Sequence, residues 1–432
     1  MRIRSKIREL GFPRQFWLLF WGMLLNTTGT SMVWPFMTIY LRERLGVPLT
    51  TVTLLMTANS AAGLAAVAAV GPVVDRFGRK GAMVTGLAAG SAVMAAMSAA
   101  GTLPVWAMLM AVQGAVMPLY RVGADAMVAD LIPTEGRPNA YALLRMATNL
   151  GIAIGPSVGG FVAAKSYALA FCIGAGAMAT FALLIVLFAR ETMPRKLTTT
   201  FAVDSPSPQP SPPWGEGDDS SIQNPQSKIE NQGYGPVLRD HRFMAFSGLL
   251  MLATIPAAVM MVLLAVYAKE QFGVPENRYG FIMATNAAMV VVLQYAVTRV
   301  SKRYRPTGVL ALGALLYAMG VGSVAWGRSF PSFLASMVVL TLGELLLVPT
   351  ATALTAALAP AEMRGRYMGV YNLTWGVGYG LGPVIGGVLS DRIAPVATWY
   401  GGLGIGLTAA VGFAALGRRA RLTDFKRNVA EG

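Results

Sequence analysis

Apolar residues fall into runs of about 20 along almost the whole chain, broken by short polar stretches. A helix rises about 1.5 Å per residue, so a run of that length matches a hydrocarbon core of about 30 Å. Twelve such runs predict twelve membrane-spanning helices. Spans 1 to 6 are expected at 16–41, 52–70, 81–100, 105–127, 141–164 and 169–189. Spans 7 to 12 are expected at 243–268, 280–297, 308–326, 333–356, 367–389 and 398–416. Short loops make neighbouring spans antiparallel. One interruption is long: from Glu191 to Gly235 the chain is rich in Ser, Pro, Gln and Asn, too polar to bury a core of its own. It divides an all-α membrane protein into bundles at 1–190 and 239–432, with a disordered linker at 191–238 and a basic tail.

Only 13% of residues are charged, against about 25% in ordinary soluble proteins. The net charge of +15 is unevenly placed. Of 35 Lys and Arg, 26 lie on the side of the termini, seven lie opposite, and Arg121 and Arg145 fall inside spans. Such a bias predicts cytoplasmic termini in a multi-pass plasma-membrane protein, drawn to anionic headgroups of the bilayer. No basic run is interleaved with aromatics, so no nucleic-acid partner is expected. The single Cys172 excludes an intrachain disulfide, and with the single His241 it cannot form a metal cluster or a nucleophilic dyad. No Gly-x4-Gly-Lys-[Ser/Thr] phosphate loop is present. These absences predict no metal, no cofactor and no enzymatic activity. The first span is too long for a signal-peptide core, which predicts that it remains as span 1.

The pattern Gly-x-x-x-Gly-Pro-x-x-Gly-Gly occurs at Gly151, Gly155, Pro156, Gly159 and Gly160, and again at Gly378, Gly382, Pro383, Gly386 and Gly387. The copies are 227 residues apart, and the same shift carries Pro133, Glu135 and Arg137 onto Pro360, Glu362 and Arg364. Glycines four apart make a bare helix face that another backbone can approach closely, and the proline adds a bend. Static close packing and a sliding contact between the halves both fit.

Between spans 2 and 3 stand Gly71, Asp75, Arg76, Gly78, Arg79 and Lys80. This set reads as a solvated ion cluster or as a breakable latch, in which Asp75 faces the positive end of another helix. Residues 71–80 match the loop motif G-x-x-x-D-R-x-G-R-[RK] of the major facilitator superfamily, and 151–160 resembles that superfamily's antiporter motif. The chain therefore resembles a twelve-helix transporter of the drug:proton antiporter branch, with two pseudo-symmetric six-helix bundles. The resemblance implies a monomer working by alternating access. It also implies that Asp75 caps the cytoplasmic end of span 11 near Tyr367 in the outward-open state, with Arg79 and Asp130 in the same network. The shift of 227 places Lys302 where the first half has Asp75, so the latch is expected in the first half.

Charges inside a membrane are costly and mark pathways. Glu344 lies near mid-bilayer in span 10, where hydrocarbon surroundings penalise its ionised form and let it exchange a proton. In span 4, Arg121 and Asp125 are one turn apart and can pair, and Arg145 of span 5 can join them. Candidate substrate groups are Asn26 and Trp34 in span 1, Arg121, Asn286 in span 8, and Asn372, Trp375 and Tyr379 in span 11. Two departures from the resembled pattern stand out: Met110 occupies the usual arginine position before Gln113-Gly114, and span 1 carries Asn26 in place of an acid. The expected function is export of small amphipathic or cationic compounds against protons, with Glu344 and Asp125 as proton carriers. Transport of a sugar, organic anion or lysolipid, or a non-transporting sensor, is the alternative.

Overall fold

The structure, a computed structural model, describes residues 11–133, 136–193, 234–360 and 363–430. Most of the linker expected at 191–238 lies outside these residues, as do Glu135 and Glu362 of the internal repeat.

Each apolar run is helical, divided in span 1 and elsewhere extended by a few residues at one end or both. The first half consists of span 1, then Leu49–Phe77, Arg79–Ala99, Leu103–Leu131, Arg137–Ala163 and Tyr167–Phe188. A short helix, Gly235–Arg239, precedes the second half: His241–Phe272, Glu276–Ser301, Pro306–Ser323, Phe330–Leu358, Arg364–Arg392 and Ala397–Ala430. His241, expected in a loop, instead opens span 7.

Ten helices are long and apolar enough to cross a membrane among the described residues. Spans 1 and 11 fall outside that group for different reasons. Span 1 is divided into Arg14–Ser31, a 3-10 turn Trp34–Phe36 and Met37–Leu45. Pro35 sits at the start of the turn and has no N–H to continue the helix. Span 11 carries eight glycines along with Arg364 and Arg366, which lower its hydropathy.

Two hydrophobic cores follow the two halves. One runs from Phe16 to Ala189. The other runs from Val237 to Phe413 and takes in Phe36, Ile39, Leu49 and Ala163 of the first half. These four belong to the face opposite the termini, called here the far face. The internal repeat is visible there too. Met37–Leu45 ends on Gly46 and His241–Phe272 ends on Gly273, both left-handed at φ 62°. Each is followed by Val-Pro, and the two turns again lie 227 residues apart. Across the midline, span 5 packs on span 8 and span 2 packs on span 11.

Candidate functional site

The two glycine-proline patterns divide their work. In span 5, Gly151, Gly155 and Gly159 lie against Thr27–Met32 of span 1. A Cβ on Gly155 would sit 2.7 Å from the Thr28 carbonyl oxygen. In span 11, Gly378, Gly382 and Gly386 lie against span 7, and a Cβ on Gly382 would sit 2.8 Å from the Ile255 carbonyl oxygen. These glycines pack each half on itself. The last glycine of each pattern crosses to the other half: Gly160 meets the Glu276 carbonyl and Asn277, and Gly387 meets Thr50 and Thr53. Gly280 presses on the Pro156 carbonyl beside the first contact.

At mid-depth, Glu344 is the fifteenth of the 29 residues of Phe330–Leu358. Asn286 of span 8 donates from Nδ2 to Glu344 Oε2 at 2.8 Å and to Thr341 Oγ1 at 3.0 Å. Thr341 spends its own proton on the Met337 carbonyl at 2.7 Å, so it must accept from Asn286. That fixes which end of the amide faces the carboxyl group. Arg145, grouped with Arg121 and Asp125 from sequence, lies within electrostatic reach of Glu344 from the opposite half. Trp375 and Tyr379 stack with centroids 5.8 Å apart, and Tyr379 is 38% exposed. Arg121, Asp125 and Asn372 are exposed and Asn26 is buried. Trp34 lies in the 3-10 turn, away from the Asn286–Glu344 pair in chain half and element. Gln113 Oε1 and Trp375 Nε1 are buried without a protein partner among the described residues, and the buried Tyr120 Oη lies beside Asn26.

The face bearing the termini, called here the terminal face, holds the loop motif. Gly71–Phe77 is helix, and the turn is Gly78 alone, at φ 84°. Gly71 therefore makes no turn, and a Cβ there would meet nothing within 4 Å. Arg79 bonds Asp130 at 3.1 Å and Asp75 at 3.3 Å, while the Asp75 side chain stays 73% exposed. Arg76 lies over the Phe77 ring. Lys80 donates to the Val186 and Ala189 carbonyls at 2.9 Å, satisfying the end of span 6. Glu191, not singled out from sequence, caps span 3 by accepting from the Arg79 and Lys80 backbone N–H groups at 2.9 and 3.0 Å. Burial pushes the Glu191 carboxyl up, but the backbone donors of Met193, Arg79, Lys80 and Thr192 outweigh it and hold it below the ordinary range. In the second half, Tyr367 donates to Asp240 at 2.8 Å, and Asp240 caps span 7. An acid just before an apolar run is the signal that points to such a cap.

The model of the Major Facilitator Superfamily matches residues 19–275 and 246–431. The chain belongs to that superfamily. Uncharacterized MFS-type transporter YttB of Bacillus subtilis (strain 168) is 26% identical over 385 residues, 88% of this chain and 89% of the relative. A Na(+), Li(+), K(+)/H(+) antiporter of Planococcus maritimus is 25% identical, covering 88% of each chain. Multidrug resistance protein MdtH of Klebsiella pneumoniae (strain 342) is 27% identical over 74% of this chain and 73% of the relative. The crystal structure of a peptide transporter POT in complex with sulfate matches with a TM-score of 0.72 at 18% identity, over 95% of this chain and 94% of that one. The protein is thus a multi-pass membrane transporter with the major facilitator fold, not an enzyme.

At the far face of this major facilitator protein the halves are bonded to each other. Arg42 pairs with Glu270 at 2.6 Å and reaches Asp391 at 3.6 Å. Lys269 pairs with Glu43 at 2.6 Å and also with Glu276, which accepts from Tyr167. Asp391 accepts from the Thr50 backbone at 2.6 Å, the Thr50 hydroxyl at 2.7 Å and the Leu49 backbone at 3.3 Å, capping span 2 from across the midline. Deeper in, Thr57 donates to the Gly380 carbonyl at 2.7 Å and Thr38 to the Val262 carbonyl at 3.1 Å. None of these charges was singled out from sequence. Their signal is position: each lies at the end of a span, just before or after a turn.

Proposed function

We propose that this transporter exports small amphipathic or cationic compounds in exchange for protons, by alternating access between its two halves. The observation that carries the reading is Glu344: a carboxyl group at the centre of span 10, oriented by the Asn286 amide at 2.8 Å and within electrostatic reach of Arg145 of the other half. A single acid between two moving halves sees a cation in one arrangement and loses it in the other, which is what proton exchange needs. The stacked Trp375 and Tyr379 offer aromatic faces to a cationic cargo. Exposed Asp125 beside Arg121 is the second proton candidate. The names of two relatives, a cation/proton antiporter and a multidrug resistance protein, support exchange and amphipathic cargo respectively. With the charge bias of its loops, the protein sits in the plasma membrane as a monomer with cytoplasmic termini.

The test is flux in proteoliposomes under an imposed pH gradient. The parent protein drives a cationic dye against its gradient, and Glu344→Gln lowers that flux about 100-fold while leaving dye exchange without a gradient intact. Gradient-driven export that survives in Glu344→Gln overturns the assignment. Gradient-driven Na+ or K+ movement without dye movement shifts the cargo to monovalent cations.

A further inference from the structure

We propose that Lys302, Arg303, Arg305 and Arg418 form a site on the terminal face that holds the headgroup phosphate of an anionic phospholipid. The inference goes beyond the proposed function and depends on neither Glu344, the cargo nor the direction of transport.

The first argument compares the two halves through the 227-residue shift. In the first half, acids balance the terminal face. Arg79 bonds Asp75 and Asp130, and Glu191 accepts from the backbone at the start of span 3. The shift turns Asp75 into Lys302, Asp130 into Ala357 and Glu191 into Arg418. Gly78, the turn itself, becomes Arg305, while Arg76 remains a cation as Arg303. The second half thus keeps the place where a carboxylate sits in the first half and reverses the charge around it.

The fold gathers these cations. Span 8 ends at Ser301 and span 9 starts at Pro306, so Lys302, Arg303 and Arg305 share the turn between them. That turn is tightly wound: the Arg303 and Tyr304 N–H groups donate to the Val300 and Ser301 carbonyls at 3.1 and 3.0 Å. Arg418 arrives from span 12, where a Cβ on its neighbour Gly417 would press on the Thr307 hydroxyl in the first turn of span 9. This contact repeats the first half, in which Glu191 accepts from Lys80, the counterpart of Thr307 under the shift. All four cations are exposed, and none joins an ion pair among the described residues. Like charges gathered in this way repel one another and gain from a bound anion. Span 9 has no acid in its first turn and no side-chain cap, so its N-terminus adds to the same positive field.

Position selects a lipid as the source of that anion. The turn joins two helices able to cross a membrane, so its cations lie at the level of the headgroups. Tyr295 of span 8 and Tyr304 of the turn are 79% and 66% exposed, and such rings settle where water meets the acyl chains. A phospholipid can place its phosphate on the cations and its tails along exposed Val292 and Val300. Free phosphate gains only the first of these contacts. Bound here, the lipid ties span 9 to span 12, as Glu191 ties span 3 to the end of span 6.

The test uses full-length protein, delipidated in a neutral detergent and incubated with dioleoylphosphatidylglycerol or dioleoylphosphatidylcholine. The readouts are lipid retention by native mass spectrometry and the melting temperature. The parent is expected to hold phosphatidylglycerol about tenfold more tightly than phosphatidylcholine, and to melt at a higher temperature with it. Lys302→Gln with Arg303→Gln and Arg305→Gln is expected to shrink that preference to within about twofold. Arg14→Gln with Arg239→Gln and Arg242→Gln removes the same charge elsewhere on the terminal face and is expected to keep it. Arg418→Glu puts back the carboxylate of the first half. It is expected to abolish the preference and to make the melting temperature indifferent to the lipid. An unchanged preference in the first triple variant overturns the site. Equal loss in both triple variants also overturns it, since that marks general attraction to a basic face. Displacement of the lipid by inorganic phosphate at millimolar concentration overturns the lipid as ligand. Retention is measured without gradient or cargo, so failure of the proton-exchange reading shows in flux and leaves this result untouched.

Discussion

Spans 2 and 11 are antiparallel partners across the midline, and each ends in an aspartate. Asp391, at the end of span 11, reaches over to the start of span 2 and takes three donors from it. Asp75, near the end of span 2, stays 73% exposed and bonds Arg79 of its own half. The same contrast runs through both faces. At the far face, Arg42, Glu43, Lys269, Glu270 and Glu276 bind across the midline. At the terminal face, Glu191 and Lys80 tie span 3 to the end of span 6, and Asp240 ties span 7 to span 11. Among the described residues the helix pair is clamped through Asp391 at the far face, whereas at the terminal face Asp75 bonds within its own half. A helix N-terminus is a ready site for a carboxylate, so a pair of antiparallel helices with an acid at each C-terminal end can be held at either end in turn.

The largest expected effect comes from wedging the far-face seal itself. Gly160 and Gly387 touch the opposite half, whereas Gly155 and Gly382 touch span 1 and span 7 of their own halves. Overpacking a tight contact costs about 1–3 kcal/mol. Gly160→Leu is expected to open the far face with little loss of melting temperature. In a Cys172→Ser background, it should raise labelling of Thr53→Cys by a membrane-impermeant maleimide about tenfold or more. Gly155→Leu is expected to lower the melting temperature with no selective gain in labelling. Equal behaviour of the two variants would erase the distinction between packing within a half and sealing between halves.

Sequence alone carried the fold a long way, because hydrophobic run length and the 227-residue repeat are written in one dimension. It placed the helix of Glu344 and both glycine-proline patterns on the correct elements. It did not separate the roles of neighbouring glycines: Gly159 and Gly160 are adjacent in sequence, yet about 100° of helix turn sends one to span 1 and the other to span 8. Asn286 was legible as a polar group in a span, but its bond to Glu344 depends on how spans 8 and 10 are rotated. Arg145 was drawn toward Arg121 by proximity in depth, and the structure places it within reach of Glu344. The far-face charges were missed because charges at span ends are ordinary, and only their pairing across the midline gives them meaning. The shift that found Lys302 opposite Asp75 also relates Arg42-Glu43 to Lys269-Glu270.

A smaller effect concerns the terminal face, where Asp240 bonds within the second half. Asp240 accepts from the Arg242 and Phe243 backbone N–H groups and from Tyr367. Asp240→Ala removes a helix cap and is expected to cost about 1 kcal/mol, read as a lower melting temperature of the second half. Labelling at Thr53→Cys should not change. A rise in labelling would mean that the terminal face already communicates with the far-face seal in this conformation.

The smallest effect at neutral pH concerns the protonation of Asp391. Burial pushes its carboxyl up, but the Thr50 backbone and hydroxyl, the Leu49 backbone and Arg42 outweigh burial and hold it below the ordinary range. Arg42 of span 1 lies 3.6 Å from it, and Glu270 of span 7 is within electrostatic reach. When the far face opens, those donors are lost and the carboxyl returns toward its ordinary value of about 3.9. A group depressed in the closed state favours closure above that ordinary value and loses the effect as pH falls through the depressed one. The distance between spin labels on Arg44→Cys and Ile393→Cys, in a Cys172→Ser background, should therefore stay constant from about pH 8 to pH 5 and lengthen only below about pH 4. Asp391→Asn should lengthen it already at neutral pH and blunt the acid response. Lengthening centred near pH 6 in the parent would assign control of the far face to a different group and remove Asp391 from the clamp.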